Sequence, residues 1–130
     1  MEHPNAGRVR SLFAAFRSGD VAAIQAAIPE DAVWHFPGRD GQLAGTHVGR
    51  DAILGFLFKV LALTDGTFRL ELEDVLANDT SAVAFFRGTG ERNGRGLVNP
   101  TCLRIRLHEG RVAELWEFVW DLYDVDAFWA

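Results

Sequence analysis

The chain has 130 residues, 48% of them hydrophobic and 24% charged, an ordinary globular balance that excludes disordered, collagen-like and coiled-coil classes. Thirteen Lys and Arg against eighteen Asp and Glu leave a net charge of −5, the wrong sign for attraction to nucleic acid or to an anionic membrane. A single cysteine, Cys102, allows neither an internal disulfide nor a multi-cysteine zinc site. Met1 to Gly7 is neither basic nor followed by an apolar signal core, so the reading is a cytoplasmic protein. Ten Phe and four Trp against one Tyr exceed what the core of so small a domain needs, which points to an apolar cavity, a dimer surface, or both.

Val9, Leu12, Phe13 and Phe16 recur at helical spacing, and Ser18-Gly19 ends the run, predicting a helix over roughly 5–18. Asp20 is placed to cap a second helix whose Val21, Ile24 and Ile28 share a face until Pro29. Residues 31–37 read as a short strand with Trp34 and Phe36 on one side and Val33 and His35 on the other. A glycine-rich hairpin follows through Gly38, Gly41 and Gly45. RDAILGFLFKVLAL, residues 50–63, is apolar almost all round and too short to span a bilayer, which predicts a buried central helix. Four long strands follow, over roughly 67–77, 81–91, 97–108 and 111–121. Turn signals at Asn78-Asp79, Asn93-Gly94 and Glu109-Gly110 join them into an antiparallel meander. Helices first and strands last give an α+β layout.

The segments SGDVAAIQAAIPEDAVWHFPG, GTHVGRDAILGF, FRLELEDVLANDTSAVAFFRGTG and HEGRVAELWEFVWDLYDVDAFW resemble, in order and spacing, SnoaL-like and ketosteroid-isomerase-like proteins of the nuclear transport factor 2-like superfamily. The resemblance covers nearly the whole chain, making residues 1–130 a single SnoaL-like domain. It implies a cystatin-like, cone-shaped barrel in which three N-terminal helices pack on a strongly curved, mainly antiparallel sheet. It further implies a ligand cavity inside the cone and a homodimer built on the outer sheet face. The superfamily carries isomerases, cyclases, hydrolases, dehydratases and binding proteins on one scaffold, so the reaction has to be argued from residues.

Laid onto that scaffold, the strands are expected to turn Trp34 and Phe36, then Phe85, Arg87 and Thr89, then Asn99, Thr101 and Leu103, and finally Leu115, Glu117, Val119 and Asp121 into the cone. The opposite face of the last strand, Val112, Glu114, Trp116, Phe118 and Trp120, fits a dimer seam; a one-residue bulge would exchange the two faces. Asp121, at the end of the last strand, matches the place where a SnoaL-type cyclase keeps its catalytic carboxylate, and is the candidate general base; its structural alternative is a cap or turn before the C-terminal segment. Glu117 is either a second polar group of the pocket or the partner of Arg87 in an ion pair across the sheet. His47, in GTHVGR, is the candidate proton relay at the cavity rim, whereas His35 reads as a surface or interface residue and His3 and His108 as exposed.

The steroid-isomerase pattern is not met. Its base position falls on Phe36, its acid position on Leu103, and the first helix offers Phe13 and Phe16 rather than a tyrosine. An epoxide-hydrolase triad would need Asp74 turned inward. No His, Cys or acidic spacing suggests a metal, and no cofactor is expected. Gly88, Gly90, Gly94 and Gly96 lie along strands and a hairpin rather than before a helix, so they read as bends of the sheet instead of a phosphate loop. The functional expectation is a homodimer that binds a small, largely apolar organic molecule and acts on it by proton transfer through Asp121. Trp34, Phe36, Phe85, Arg87, Asn99, Thr101, Glu117, Val119 and His47 would contact the molecule. The alternative is a ligand-binding or dimerisation module without catalysis.

Overall fold

The computed structural model describes residues 2–130. Helix α1 (Pro4–Ser18) starts with proline in its first turn and ends where Gly19 takes a left-handed φ of 72°, its N–H returning to the carbonyls of Ala15 and Phe16. Asp20 accepts a hydrogen bond from Ala23 N at 3.1 Å and so caps α2 (Val21–Ala27). Strands β1 (Val33–Phe36) and β2 (Gly45–Val48) form an antiparallel pair, and α3 (Arg50–Leu63) follows. The meander is β3 (Arg69–Ala77), β4 (Ser81–Arg92), β5 (Arg95–His108) and β6 (Arg111–Val119). Asn93-Gly94 and Glu109-Gly110 both hold positive φ in sequence, 53° then 76° and 51° then 77°, the geometry that two-residue hairpins need. A fourth helix, α4 (Leu122–Trp129), closes the chain.

One six-stranded sheet runs in the order β2-β1-β6-β5-β4-β3. It is antiparallel throughout except where β1 lies parallel to β6, with Trp34 beside Leu115. That long-range pair brings the first strand against the last and joins the two halves of the molecule. The cystatin-like α+β fold follows the expectation, with α4 as an addition: DLYDVDAFW places Leu122, Val125, Phe128 and Trp129 at helical spacing.

Three details depart from the expected faces. In β4 the buried set is Ala82, Ala84, Phe86, Gly88 and Gly90, so Phe85, Arg87 and Thr89 point away from the helices. The small residues leave room for the helical layer and for Phe68, whose ring would stand 3.0 Å from a Cβ at Gly88. In β6 a register shift opposite Arg106 and Leu107 puts both Val112 and Leu115 inside, at 4% and 0% exposure; Val112 therefore leaves the outer face, while Glu114, Trp116 and Phe118 stay on it. Helix α3 is buried on one side only, through Ile53, Leu54, Phe56 and Val60, and exposes Phe58 and Leu61 on the other. None of the helices described is long and apolar enough to cross a membrane.

Candidate functional site

Between the helices and the concave face of the sheet lies a cavity walled on the helical side by Leu12, Phe13 and Phe16 of α1, Ile24 of α2 and Phe56 and Val60 of α3. Trp34 and Phe36 of β1, Phe86 of β4, Leu103 of β5 and Trp129 of α4 complete much of the wall. Its aromatic side chains hold one another edge-on or tilted: Phe13 against Phe86 at 5.2 Å, Phe56 against Trp34 at 5.2 Å and Phe36 at 5.4 Å. The cavity has a volume of about 70 Å³, room for a small organic molecule.

Two polar side chains and two indole groups interrupt this wall. Glu117 faces Leu103 across the β5–β6 ladder and lines the cavity. Trp34 donates from Nε1 to Glu117 Oε1 at 3.0 Å. That is the carboxyl's one hydrogen bond to the protein among the described residues, and no cation lines the cavity. Desolvation therefore dominates and pushes the Glu117 pKa up to about 8, with the indole N–H pulling it partly back. At neutral pH the group is mostly a neutral acid, able to give a proton and, above about pH 8, to take one. Asn99 on β5 and Trp129 on α4 also line the cavity, at 7% and 2% exposure. Asn99 Oδ1 and Trp129 Nε1 are enclosed without a hydrogen-bond partner.

Of the residues expected to contact a ligand, Trp34, Phe36, Asn99 and Glu117 come together on the cavity wall. Asp121 does not join them. It is exposed at the start of α4, where its side chain accepts a hydrogen bond from Asp124 N at 3.1 Å. This is the capping alternative, and it arises because β6 ends at Val119 and the chain turns outward there. Arg87 is exposed and Phe85 half-buried on the convex face, so the expected Arg87–Glu117 pair cannot form; their side chains leave opposite sides of the sheet. Thr101 is buried, its hydroxyl donating to Asn99 O at 3.2 Å, and Val119 is half-buried beside it in the ladder; neither borders the cavity. His47 stacks on Phe56 at 4.5 Å and donates from Nε2 to Leu43 O at 2.8 Å. It thus backs a wall residue rather than reaching the space, and no relay to Asp121 exists. Asp74 is exposed and bonds its own strand's Val75 N. His35 lies on the convex face, 2.6 Å from Glu114 Oε2 and stacked on Trp116.

Several wall residues escaped the sequence reading. Phe86 was missed through the choice of strand phase, although Ala82, Ala84, Gly88 and Gly90 in its phase and Ser81 and Arg87 in the other carry the signal. Trp129 was missed because the C-terminal helix went unread, and Phe56 because α3 looked apolar on every side. Among the described residues no group of three or more His, Cys, Asp or Glu could hold a metal ion.

A family model for the SnoaL-like domain matches residues 9–115. An uncharacterized protein of Mycobacterium tuberculosis is 35% identical over 123 residues, 94% of this chain and 93% of that protein. Bal32a, from a soil-derived mobile gene cassette, superposes with a TM-score of 0.93 at 38% identity over 97% of this chain and 96% of its own. A cystatin-like protein of unknown function from Xanthomonas campestris gives 0.90 at 28% identity, over 100% and 99%. At 17% identity, a SnoaL-like polyketide cyclase described as putative, from Jannaschia, shares the fold with a TM-score of 0.80 over 99% of this chain and 96% of its own.

Proposed function

The chain belongs to the family of SnoaL-like domains, and from that premise we propose that its cavity binds a small, largely apolar organic molecule and that Glu117 exchanges a proton with it without a cofactor. The observation that carries this reading is a carboxyl on the wall of an aromatic cavity, held by one indole N–H and protonated up to about pH 8. A poised acid of this kind suits the enolisation, isomerisation or hydration of a neutral carbonyl or alkene, steps that need one proton given or taken. Asp121 has no part in it. The same reading puts a second copy of the chain on the convex face of the sheet.

A neutral two-ring ketone, 2-tetralone, tests the proposal without knowledge of the natural substrate. In D2O the protein should catalyse exchange of the α-protons, followed by NMR. The rate should rise with pH and level off above about 8, because removing a proton needs the carboxylate. Glu117→Gln should lower the exchange rate by ~10²-fold or more while leaving binding of the ketone intact. Tight binding with no exchange in the parent would make this a ligand carrier, the alternative favoured by the single carboxyl on the wall.

A further inference from the structure

We propose that Asn99 and Trp129 form a second polar subsite, at the α4 end of the cavity, that takes a hydroxyl group of the ligand, and that the ligand is consequently an uncharged ring compound hydroxylated at the end remote from Glu117. The inference rests on the cavity being a ligand site. Two neighbouring buried polar groups without partners are costly: each enclosed donor or acceptor that lacks a hydrogen bond forfeits its hydration. Asn99 makes no side-chain hydrogen bond among the described residues, although it is 7% exposed, and Trp129 Nε1 is equally bare.

Their neighbourhood is set by the fold. Asn99 stands opposite Gly88 in the β4–β5 ladder; Phe68 packs over Gly88, and Trp129 lies 6.2 Å from Phe68. The four residues therefore gather at one end of the cavity. Glu117 is at the other, since its ladder partner Leu103 is four residues along β5 from Asn99, ~13 Å at about 3.3 Å per residue. Between the two polar ends the wall is aliphatic and aromatic.

The chemistry of the two groups narrows the ligand. Trp129 Nε1 can only donate, and Asn99 Oδ1 can only accept. A ketone or ether can only accept and would leave Asn99 Oδ1 without a donor; a hydroxyl serves both, accepting from the indole N–H and donating to Oδ1. A carboxylate or phosphate would enter a cavity with no Lys or Arg on its wall and would meet no counter-charge.

Equilibrium dialysis of the full chain against naphthalene, 2-naphthol and 2-naphthoate tests this. The expected result is 2-naphthol bound ~10-fold tighter than naphthalene, one good hydrogen-bonded group's worth, and 2-naphthoate bound more weakly than either. Asn99→Leu and Trp129→Phe keep the side-chain bulk and remove one partner each. Both should bind naphthalene within about threefold of the parent and lose most of the preference for 2-naphthol. Because Asn99 gives up no hydrogen bond, Asn99→Leu should melt no lower than the parent. A preference retained in both variants, equal binding of the hydroxylated and plain hydrocarbons by the parent, or a marked loss of stability in Asn99→Leu would each overturn the subsite and leave the cavity as a binding site. Failure of the parent to bind naphthalene at all would remove the cavity reading, and the subsite with it.

Discussion

At the scale of single residues, Glu117 and Trp34 couple the chemistry of the site to stability. A carboxyl whose pKa is about 8 in the folded chain, against 4.5 when free, binds its proton more tightly folded than unfolded. Its favourable contribution is therefore complete below the free value and is lost as pH rises through the window from about 4.5 to 8, at up to ~1.4 kcal/mol per pH unit. Glu117→Gln keeps a neutral oxygen for the Trp34 N–H and has nothing to titrate. Melting temperatures of the two chains should consequently converge below about pH 4.5 and separate toward pH 9, with the glutamine variant the more stable. Parallel pH profiles would mean that the carboxyl is solvated and ordinary. Asn99 has the opposite character: it titrates nothing, and the fold encloses its Oδ1 without a partner.

The element that decides the shape of the site is α4. Trp129 on its last turn lines the cavity, and polar ties hold the helix down. Asp126 accepts hydrogen bonds from the backbone N–H groups of Arg39, Asp40 and Gly41; Arg95 pairs with Asp124 at 2.7 Å; Gln42 N donates to Trp129 O at 2.7 Å. Those backbone bonds, led by Asp40 and Gly41, hold the Asp126 carboxyl below its usual range. The tie is intact above the ordinary carboxyl range and is lost as pH falls through the lower folded value, so acid loosens α4. Asp126→Ala should speed hydrogen exchange at Gly41 at neutral pH and abolish the acid-induced part of it. Asp121→Ala removes only the cap, and is expected to cost ~1 kcal/mol of stability with α-proton exchange on 2-tetralone unchanged; a loss of that exchange would return Asp121 to the chemistry.

For the whole molecule, the convex face of the sheet is an exposed apolar surface. Phe85, Cys102 and Phe118 stand side by side across β4, β5 and β6, and Phe118 and Trp120 are 58% and 85% exposed. Trp116 is the more sheltered of the aromatics, with Arg104 4.7 Å over its ring and His35 stacked on it. Covering Phe118 and Trp120 would contribute ~1.5–3 kcal/mol each, and the proposed second copy would do so across a two-fold axis. Sedimentation at micromolar concentration should give a dimer, and Trp120→Glu should give a folded monomer. A monomeric parent would leave this face to another role.

The sequence by itself determined what depends on near neighbours along the chain. Apolar spacing and a glycine stop located α1, an aspartate cap located α2, and Asn93-Gly94 fixed its hairpin, because helical period, capping and positive φ are local properties. Trp34, Phe36, Asn99 and Glu117 were legible as pocket residues from strand alternation once the scaffold was in view. Only the tertiary structure decided the rest. The phase of β4 depended on Phe68 needing the space above Gly88, the face of Val112 on a bulge within β6 itself, and the role of Asp121 on where β6 stops. The properties of Glu117 followed from placement beside an indole 83 positions earlier in the chain, on a cavity wall that carries no Lys or Arg. Desolvation, which raises the pKa of that carboxyl, is a property of the three-dimensional surroundings, to which no segment of the sequence contributes alone.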